Sequence, residues 1–422
     1  MRYKKIMNSN PCQIRILTLP RCNFYAPSMR TLCALYATFS LESHYKDRLN
    51  LFNSQIFWHK VCRRACVNKI VVPMMRHKGS CSTSLQLLTT PQRIFSAIIR
   101  DVQRARRAID LEFYIFEEDN IGRAFIELLS RKARQGVAVR MLLDGFGSRS
   151  VRRKTINRLT ASGVEIRTTP LMANSRNHRK IVVVDDSVAY TGGINIADRY
   201  VAGNNLGVWH DVALRIEGDV ARQMRRILDY DTLLLEGVSS ELMVREDALI
   251  KFYASEMQGA RAMELLLDDV AIGATSSITI TTPYLFPSHD MLQTLASAVG
   301  RGVAVSIIVP ARCDVAMLDA LMPLFVDKAV DAGIEIRQAA CGFLHAKMAI
   351  VDDRRVVVGS ANLDARSLRV NRELMVSTTD AGVCRAALHF IESLNSLPYP
   401  RPETKRANLI SRLFAHILSP ML

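Results

Sequence analysis

The chain has 422 residues, 49% apolar and 23% charged, the balance of a globular protein with room for two or three buried cores; collagenous and wholly disordered classes are excluded. No run of 18 uninterrupted apolar residues occurs, so no spanning helix is expected. The formal charge of +16 is unevenly held: residues 1–80 carry fourteen Lys and Arg against Glu42 and Asp47, a net of +12, which leaves +4 for the other 342 residues and no reason to expect nucleic acid as a partner.

Residues 1–80 are foreign to the rest in other ways. Cys12, Cys22, Cys33, Cys62 and Cys66 fall there and Cys81 just beyond, against Cys313, Cys341 and Cys384 in the remainder. The segment is Arg-rich, poor in acids and weakly periodic. It reads as a non-catalytic, poorly ordered region: a transit peptide, a membrane-surface arm, or residues upstream of a start at Met74 or Met75. His59, Cys62, Cys66 and His77 lack the paired CxxC spacing of zinc sites, and no disulfide framework is indicated.

From residue 82 onward, short β-branched runs alternate with helical patterns, which predicts an α/β class. Strands are expected at 109–116, 137–143, 164–167, 180–185 and 212–216, with a helix over 122–135. The order then repeats: a strand at 277–282, a helix over 291–299, and strands at 303–309, 334–337 and 347–351. Gly136-Val-Ala-Val returns as Gly302-Val-Ala-Val, and Gly163-Val-Glu-Ile-Arg167 as Gly333-Ile-Glu-Ile-Arg337. Two copies of one domain follow, 82–237 and 238–400, with a tail over 401–422. In that tail Leu409, Ile410, Leu413, Phe414, Ile417 and Leu418 form one stripe, suited to a membrane interface or to docking on its own domain.

A more specific repeat lies inside the copies. His178, Lys180, Asp185, Gly192-Gly193 and Asn195 return as His345, Lys347, Asp352, Gly359-Ser360 and Asn362, every position displaced by 167. On a strand, residues i and i+2 share a face, so each His projects with its Lys. Imidazole supplies a nucleophile or proton carrier near neutral pH, and lysine a compact positive charge. The glycines permit close backbone approach, and Gly193, Ser360, Asn195 and Asn362 read as phosphate ligands. Asp185 and Asp352 lie five residues past the imidazole, about 17 Å along a strand, and read as structural. His210 in Trp209-His210-Asp211 stays open, and the other six histidines read as ordinary core or surface residues.

Two copies of HxKx4Dx6G(G/S)xN resemble the signature of the phospholipase D superfamily. Glu112-Phe-Tyr114, Leu143-Asp-Gly-Phe-Gly-Ser148, Trp209-His-Asp211, Thr282-Pro-Tyr284 and Gly359-Ser-Ala-Asn-Leu-Asp-Ala-Arg-Ser367 with Asn371-Arg-Glu373 are similar to bacterial cardiolipin synthases. The resemblance covers about residues 82–422. It implies two tandem α-β-α domains related by a pseudo-twofold axis, with one active site at their contact. His178 is then the nucleophile on the phosphorus of a phosphodiester and His345 the acid and base, with the reverse assignment left open by the near symmetry of the two motifs. Lys180, Lys347, Asn195 and Asn362 are implied to hold the non-bridging oxygens. Asp211 and Glu373 are implied as partners of His178 and His345 respectively. The resemblance implies no cofactor or metal, an anionic phospholipid such as phosphatidylglycerol as partner, and peripheral attachment at a bacterial inner membrane. It leaves phospholipase D hydrolysis, and more remotely a nuclease, as alternatives.

Overall fold

A computed structural model describes residues 83–172, 174–235, 245–246, 249–255, 262–340 and 342–400. The N-terminal segment with its cysteines, the boundary drawn at 237/238 and the tail over 401–422 lie outside the described residues.

The first half runs β1 (Ser84–Leu88), α1 (Pro91–Arg104), β2 (Ala108–Phe113), α2 (Asn120–Arg134), β3 (Ala138–Leu143), α3 (Arg153–Ala161), β4 (Val164–Thr168), β5 (Lys180–Val184), β6 (Val188–Gly192), α4 (Arg199–Ala202), β7 (Trp209–His210), β8 (Ala213–Glu217) and α5 (Ala221–Leu235). The second half contributes β9 (Arg245–Glu246), β10 (Ile250–Ala254), α6 (Ala262–Gly273), β11 (Ser277–Thr281), β12 (Leu285–Phe286), α7 (His289–Val299), β13 (Ala304–Val309), α8 (Ala316–Asp331), β14 (Glu335–Gln338), β15 (Phe343–Leu344), β16 (Met348–Val351), β17 (Arg355–Gly359), β18 (Leu363–Asp364), α9 (Ala365–Arg369), β19 (Leu374–Thr378), α10 (Ala381–Ser393) and β20 (Leu397–Pro398).

The helices start where local chemistry favours it. Thr90 accepts a hydrogen bond from Arg93 N ahead of Pro91 at the first turn of α1, and Asp119 accepts one from Gly122 N at the start of α2. Amphipathic faces such as Phe125, Ile126, Leu128 and Leu129 of α2 then bury against the sheet.

The duplication is explicit in the sheets. The first is ordered β4-β3-β2-β5-β6-β8-β1, and the second contains β14-β13-β11-β16-β17-β19-β10, with β20 and β9 added at its edges. In both, three parallel strands joined by helical crossovers are followed by antiparallel ones. The registers match as well: Gly192 lies opposite Ala213 in β6/β8, and Gly359 opposite Met375 in β17/β19. Because Gly192 and Gly359 correspond, Asp211 and Glu373, each two residues before those partners, occupy equivalent places.

Each sheet has an outer core of its own, around Ile109, Phe125 and Leu129 in the first half and Ile278, Leu295 and Phe325 in the second. A third core joins the halves, with Ile181, Val183 and Leu214 meeting Met348, Val356 and Val376. β5, which begins at Lys180, and β16, which begins just after Lys347, are therefore buried on both faces, and β5 reads Lys-Ile-Val-Val-Val without polar alternation for that reason. A shared core also makes the halves one packed body in which side chains from both can meet.

Turn chemistry explains Asp185 and Asp352. Both begin two-residue turns with positive φ, 53° and 59° at Asp185-Asp186, 52° and 54° at Asp352-Asp353, as the tight hairpins β5–β6 and β16–β17 demand. The Asp185 carboxylate accepts from the backbone N–H groups of Arg106, Arg107 and Ala108 at 2.7–2.9 Å. Asp352 accepts from those of Thr275, Ser276 and Ser277, and these amides hold its carboxyl far below the usual carboxylate range. Each ties its turn to the start of a parallel strand.

Candidate active site

Two short pieces of backbone zipper the halves together, and each ends on an imidazole. In the first, Arg372 N donates to Arg176 O at 2.8 Å and His178 N to Arg372 O at 3.0 Å, which sets Glu373 beside His178. In the second, β7 and β15 pair in parallel, with Phe343 N donating to Val208 O and His345 N to His210 O at 2.8 Å each, which sets His345 beside Asp211. His210 thus contributes its carbonyl to the junction.

The side chains complete the exchange. His178 Nδ1 lies 3.0 and 3.1 Å from the Glu373 oxygens, and His345 Nδ1 lies 2.7 Å from Asp211 Oδ2. The partners are therefore the reverse of the sequence expectation, which matched Asp211 to His178 and Glu373 to His345. Each carboxylate serves the histidine of the other half, because it sits on the strand that the junction carries across. An ionised carboxylate only accepts, so Glu373 fixes the Nδ1–H tautomer of His178 and leaves Nε2 its lone pair.

The lysines lie inside the same cluster. Lys180 Nζ donates to His178 O, and Lys347 Nζ to His345 O at 2.6 Å while standing 3.0 and 3.1 Å from the two ring nitrogens of His345. Burial pulls the ammonium of Lys180 down to about 7 and that of Lys347 to about 8, against the opposing charges of Glu373 and Asp211. Burial pushes Asp211 up to about 7, with Lys347 and Lys180 opposing. Both imidazoles are pulled below their ordinary value by burial, His345 further because Lys347, Lys180 and His178 all add positive charge near it. The Glu373 carboxyl stays below its ordinary value, since His178, Lys180 and the Ser360 hydroxyl outweigh its burial. Each histidine and lysine thus feels the charge of groups from both halves, as one cluster requires. A negative charge placed beside such a cluster would raise the proton affinity of its bases.

The walls are aromatic. The rings of Tyr200, Trp209 and Phe343 stand 5.4, 5.2 and 5.9 Å from the His345 ring, and Tyr114 stands 5.0 Å from His178. In the sequence Tyr114 and Trp209 stand out only as members of matched phrases, and nothing there singles out Tyr200; β7 and the one-turn α4 place the last two.

Three expected phosphate ligands are otherwise engaged. The Ser360 hydroxyl donates to Glu373 Oε2 at 2.5 Å and accepts from Leu374 N, so it supports the carboxylate. Gly193, its counterpart, faces Asp211: a Cβ there would stand 2.3 Å from Asp211 Oδ1, and only hydrogen fits. Asn195 accepts from Ile115 N at 3.1 Å and donates to the Tyr200 hydroxyl, which makes it a buried brace behind His345's cage. The Asn362 side chain bonds the Asp364 carboxylate, while its Oδ1, an acceptor, is buried without a hydrogen-bond partner. Below the site, Arg179 is fully buried and donates to Ser255 O at 2.7 Å and to Glu373 O at 3.3 Å, pinning the backbone that carries Glu373.

Among the described residues no helix is long and apolar enough to cross a membrane. A family profile described as "Cardiolipin synthase, PLD-like domain" matches residues 98–231 and 270–397. The chain is 31% identical over 333 residues to a probable cardiolipin synthase of Bacillus subtilis, covering 74% of this chain and 66% of that protein. It is 31% identical over 374 residues to cardiolipin synthase A of Pseudomonas aeruginosa, covering 84% and 76%. Among solved structures, phosphatidylserine synthase of Haemophilus influenzae superposes with a TM-score of 0.65 at 15% identity, over 80% of this chain and 95% of that one, which speaks for the fold.

Proposed function

The chain belongs to the phospholipase D-like cardiolipin synthase family, and on that premise we propose that it is a phosphatidyltransferase that condenses two phosphatidylglycerols into cardiolipin and glycerol through a phosphatidyl-histidine intermediate. The observation that carries this reading is the crossed pairing of two imidazoles, His345 buried and His178 half-buried, with carboxylates of the opposite half, around two lysines.

In this mechanism Nε2 of His178 attacks the phosphorus of the first phosphatidylglycerol. The bond to the headgroup glycerol breaks, and that oxygen takes the proton of imidazolium His345. The Glu373 carboxylate stabilises the positive charge that His178 acquires on forming the P–N bond. A headgroup hydroxyl of the second phosphatidylglycerol then attacks from the side the glycerol left, giving its proton to His345 as the P–N bond breaks. Asp211, 2.7 Å from His345 Nδ1, orients the ring and offsets the charge of its imidazolium, which leaves Nε2 to give a proton and recover it. Lys180 and Lys347, with the Asn362 amide, face the charge that grows on the non-bridging oxygens. Asn195, Gly193 and Ser360 act as supports of this machinery.

Exchanging one primary-alcohol phosphodiester for another is close to thermoneutral, so transfer prevails over hydrolysis when water is kept from the intermediate. The burial of His345 and the aromatic rings beside both imidazoles favour that outcome. The substrates place the enzyme at a membrane surface, and we propose peripheral attachment at a bacterial inner membrane. Purified protein with labelled phosphatidylglycerol in mixed micelles is expected to yield labelled cardiolipin and free glycerol. Phosphatidic acid as the sole product would replace transfer with hydrolysis.

A further inference from the structure

Eight large apolar side chains are exposed among the described residues, and their distribution is uneven. Ile272 lies near the end of α6 and Leu397 on the edge strand β20, but Phe146, Leu171, Met172, Val208, Val315 and Met317 lie in or beside the loops that adjoin the strands positioning the site. Phe146 follows β3, Leu171 and Met172 follow β4, and Val315 and Met317 follow β13, so all five lie just past the carboxyl ends of parallel strands. That is the edge at which open α/β sheets bind their ligands. Val208 joins them where its carbonyl accepts from Phe343 N at the β7/β15 junction. The loops after β3 and β13 correspond in the duplication, so the pseudo-twofold that relates the two histidines places one on each side of the opening.

These side chains are coupled to the site and rimmed by cations. Gly147 packs against Tyr114, whose ring meets His178. The guanidiniums of Arg149 and Arg176 lie over the Phe146 ring at 4.7 and 4.4 Å, and Arg176 also donates to Leu171 O at 3.0 Å. Arg366 of the second half donates to Asn174 O at 2.7 Å, fixing this loop to the opposite half. Met172 is 89% exposed and Leu171 51%, a cost in water that an apolar partner removes. Apolar tips surrounded by arginine suit the boundary between acyl chains and anionic headgroups.

We propose that Phe146, Leu171 and Met172, with Val208, Val315 and Met317 on the facing rim, form a membrane-docking surface that seats the mouth of the site on an anionic bilayer, so that lipid headgroups enter without crossing water. This rests on the proposed lipid substrate and adds the surface that meets it.

The test uses the full chain with vesicles of phosphatidylcholine and phosphatidylglycerol. The indole introduced by Met172→Trp is expected to shift its emission to the blue and to be quenched by brominated acyl chains, whereas the one introduced by Ile272→Trp shows neither. The double variant Leu171→Asp/Met172→Asp is expected to partition onto vesicles roughly tenfold less and to transfer correspondingly slower there. Its rate on a monodisperse short-chain phosphatidylglycerol is expected to equal that of the unsubstituted protein. The proposal is overturned if the indole of the Met172→Trp variant stays in water on bound protein, if the double variant binds vesicles normally, or if its rate falls equally on both substrates. Should the unsubstituted protein turn over no phosphatidylglycerol, the transfer reading fails, while the quenching still decides the surface.

Discussion

Replacing Glu373 with Gln keeps the shape of the side chain and removes the charge that faces His178 Nδ1 at 3.0 Å. At an effective dielectric of about 20, a unit negative charge at that distance stabilises an imidazolium by about 5.5 kcal/mol. The remaining neutral hydrogen bond returns about 1 kcal/mol, and relaxation of the lysines offsets a further part. A net loss of about 3–5 kcal/mol on forming phosphatidyl-imidazolium follows, or roughly 10²–10⁴ in kcat. The assay is transfer from labelled phosphatidylglycerol in mixed micelles, with histidine-selective NMR titration of the same variant. Because Glu373 raises the His178 value, Glu373→Gln is expected to move the titration of His178 downward and leave His345 little changed. Pairing within each half predicts the reverse. A rate loss under about tenfold, or a shift at His345 in place of His178, refutes the crossed arrangement.

The other expectations concern the same cluster and its frame. The pH profile of kcat/KM is expected to fall on its alkaline side from about 7, where Lys180 and the Asp211–His345 pair lose protons. Its acid limb lies below the ordinary imidazole range, since burial holds His178 below its usual value and the ring must be neutral to attack; a profile without either limb contradicts both assignments. Gly193→Ala is expected to push Asp211 off His345 and reduce kcat by roughly 10²-fold with the fold retained by circular dichroism, and Ser360→Ala, losing one charge-assisted bond of about 1–2 kcal/mol, by roughly 5–30-fold with little change in KM. Asp352→Ala leaves three strand-end amides to water and puts alanine at positive φ. It is expected to cost about 2 kcal/mol in urea unfolding with activity per folded molecule unchanged, whereas an inactive but equally stable variant would give Asp352 a chemical role.

Much of this molecule is legible in its sequence because local signals carry it. Runs such as Lys180–Val184 and Met348–Val351 are buried on both faces and advertise strands without alternation. The repeat by 167 residues survives because hairpin turn, glycine approach and lysine position are each fixed by short-range geometry. The identity of each histidine's partner is another matter. His178 and Glu373 are 195 positions apart, and what unites them is a bridge from Asn177 to Arg372 between halves. Motif order puts Asp211 nearer to His178 in sequence, while the packed sheets put it beside His345. Ser360 shows the same limit: its place in the motif suggests a phosphate ligand, yet its hydroxyl faces the carboxylate of Glu373, just ahead of the adjacent strand β19. Strands β6 and β17, short and flanked by turns, escape the sequence reading too, although they join the motif lysines to the carboxylate strands.

In the proposed reaction His178 becomes covalently bonded to phosphorus while His345 moves the proton. Rapid quenching of the enzyme with labelled phosphatidylglycerol under alkaline conditions that preserve phosphohistidine, followed by peptide mass analysis, tests it directly. The phosphatidyl label is expected on the peptide containing His178, absent from His178→Asn and prolonged in His345→Ala supplied with an ester whose leaving group needs no proton. Label on His345 with His178 unmodified would contradict it.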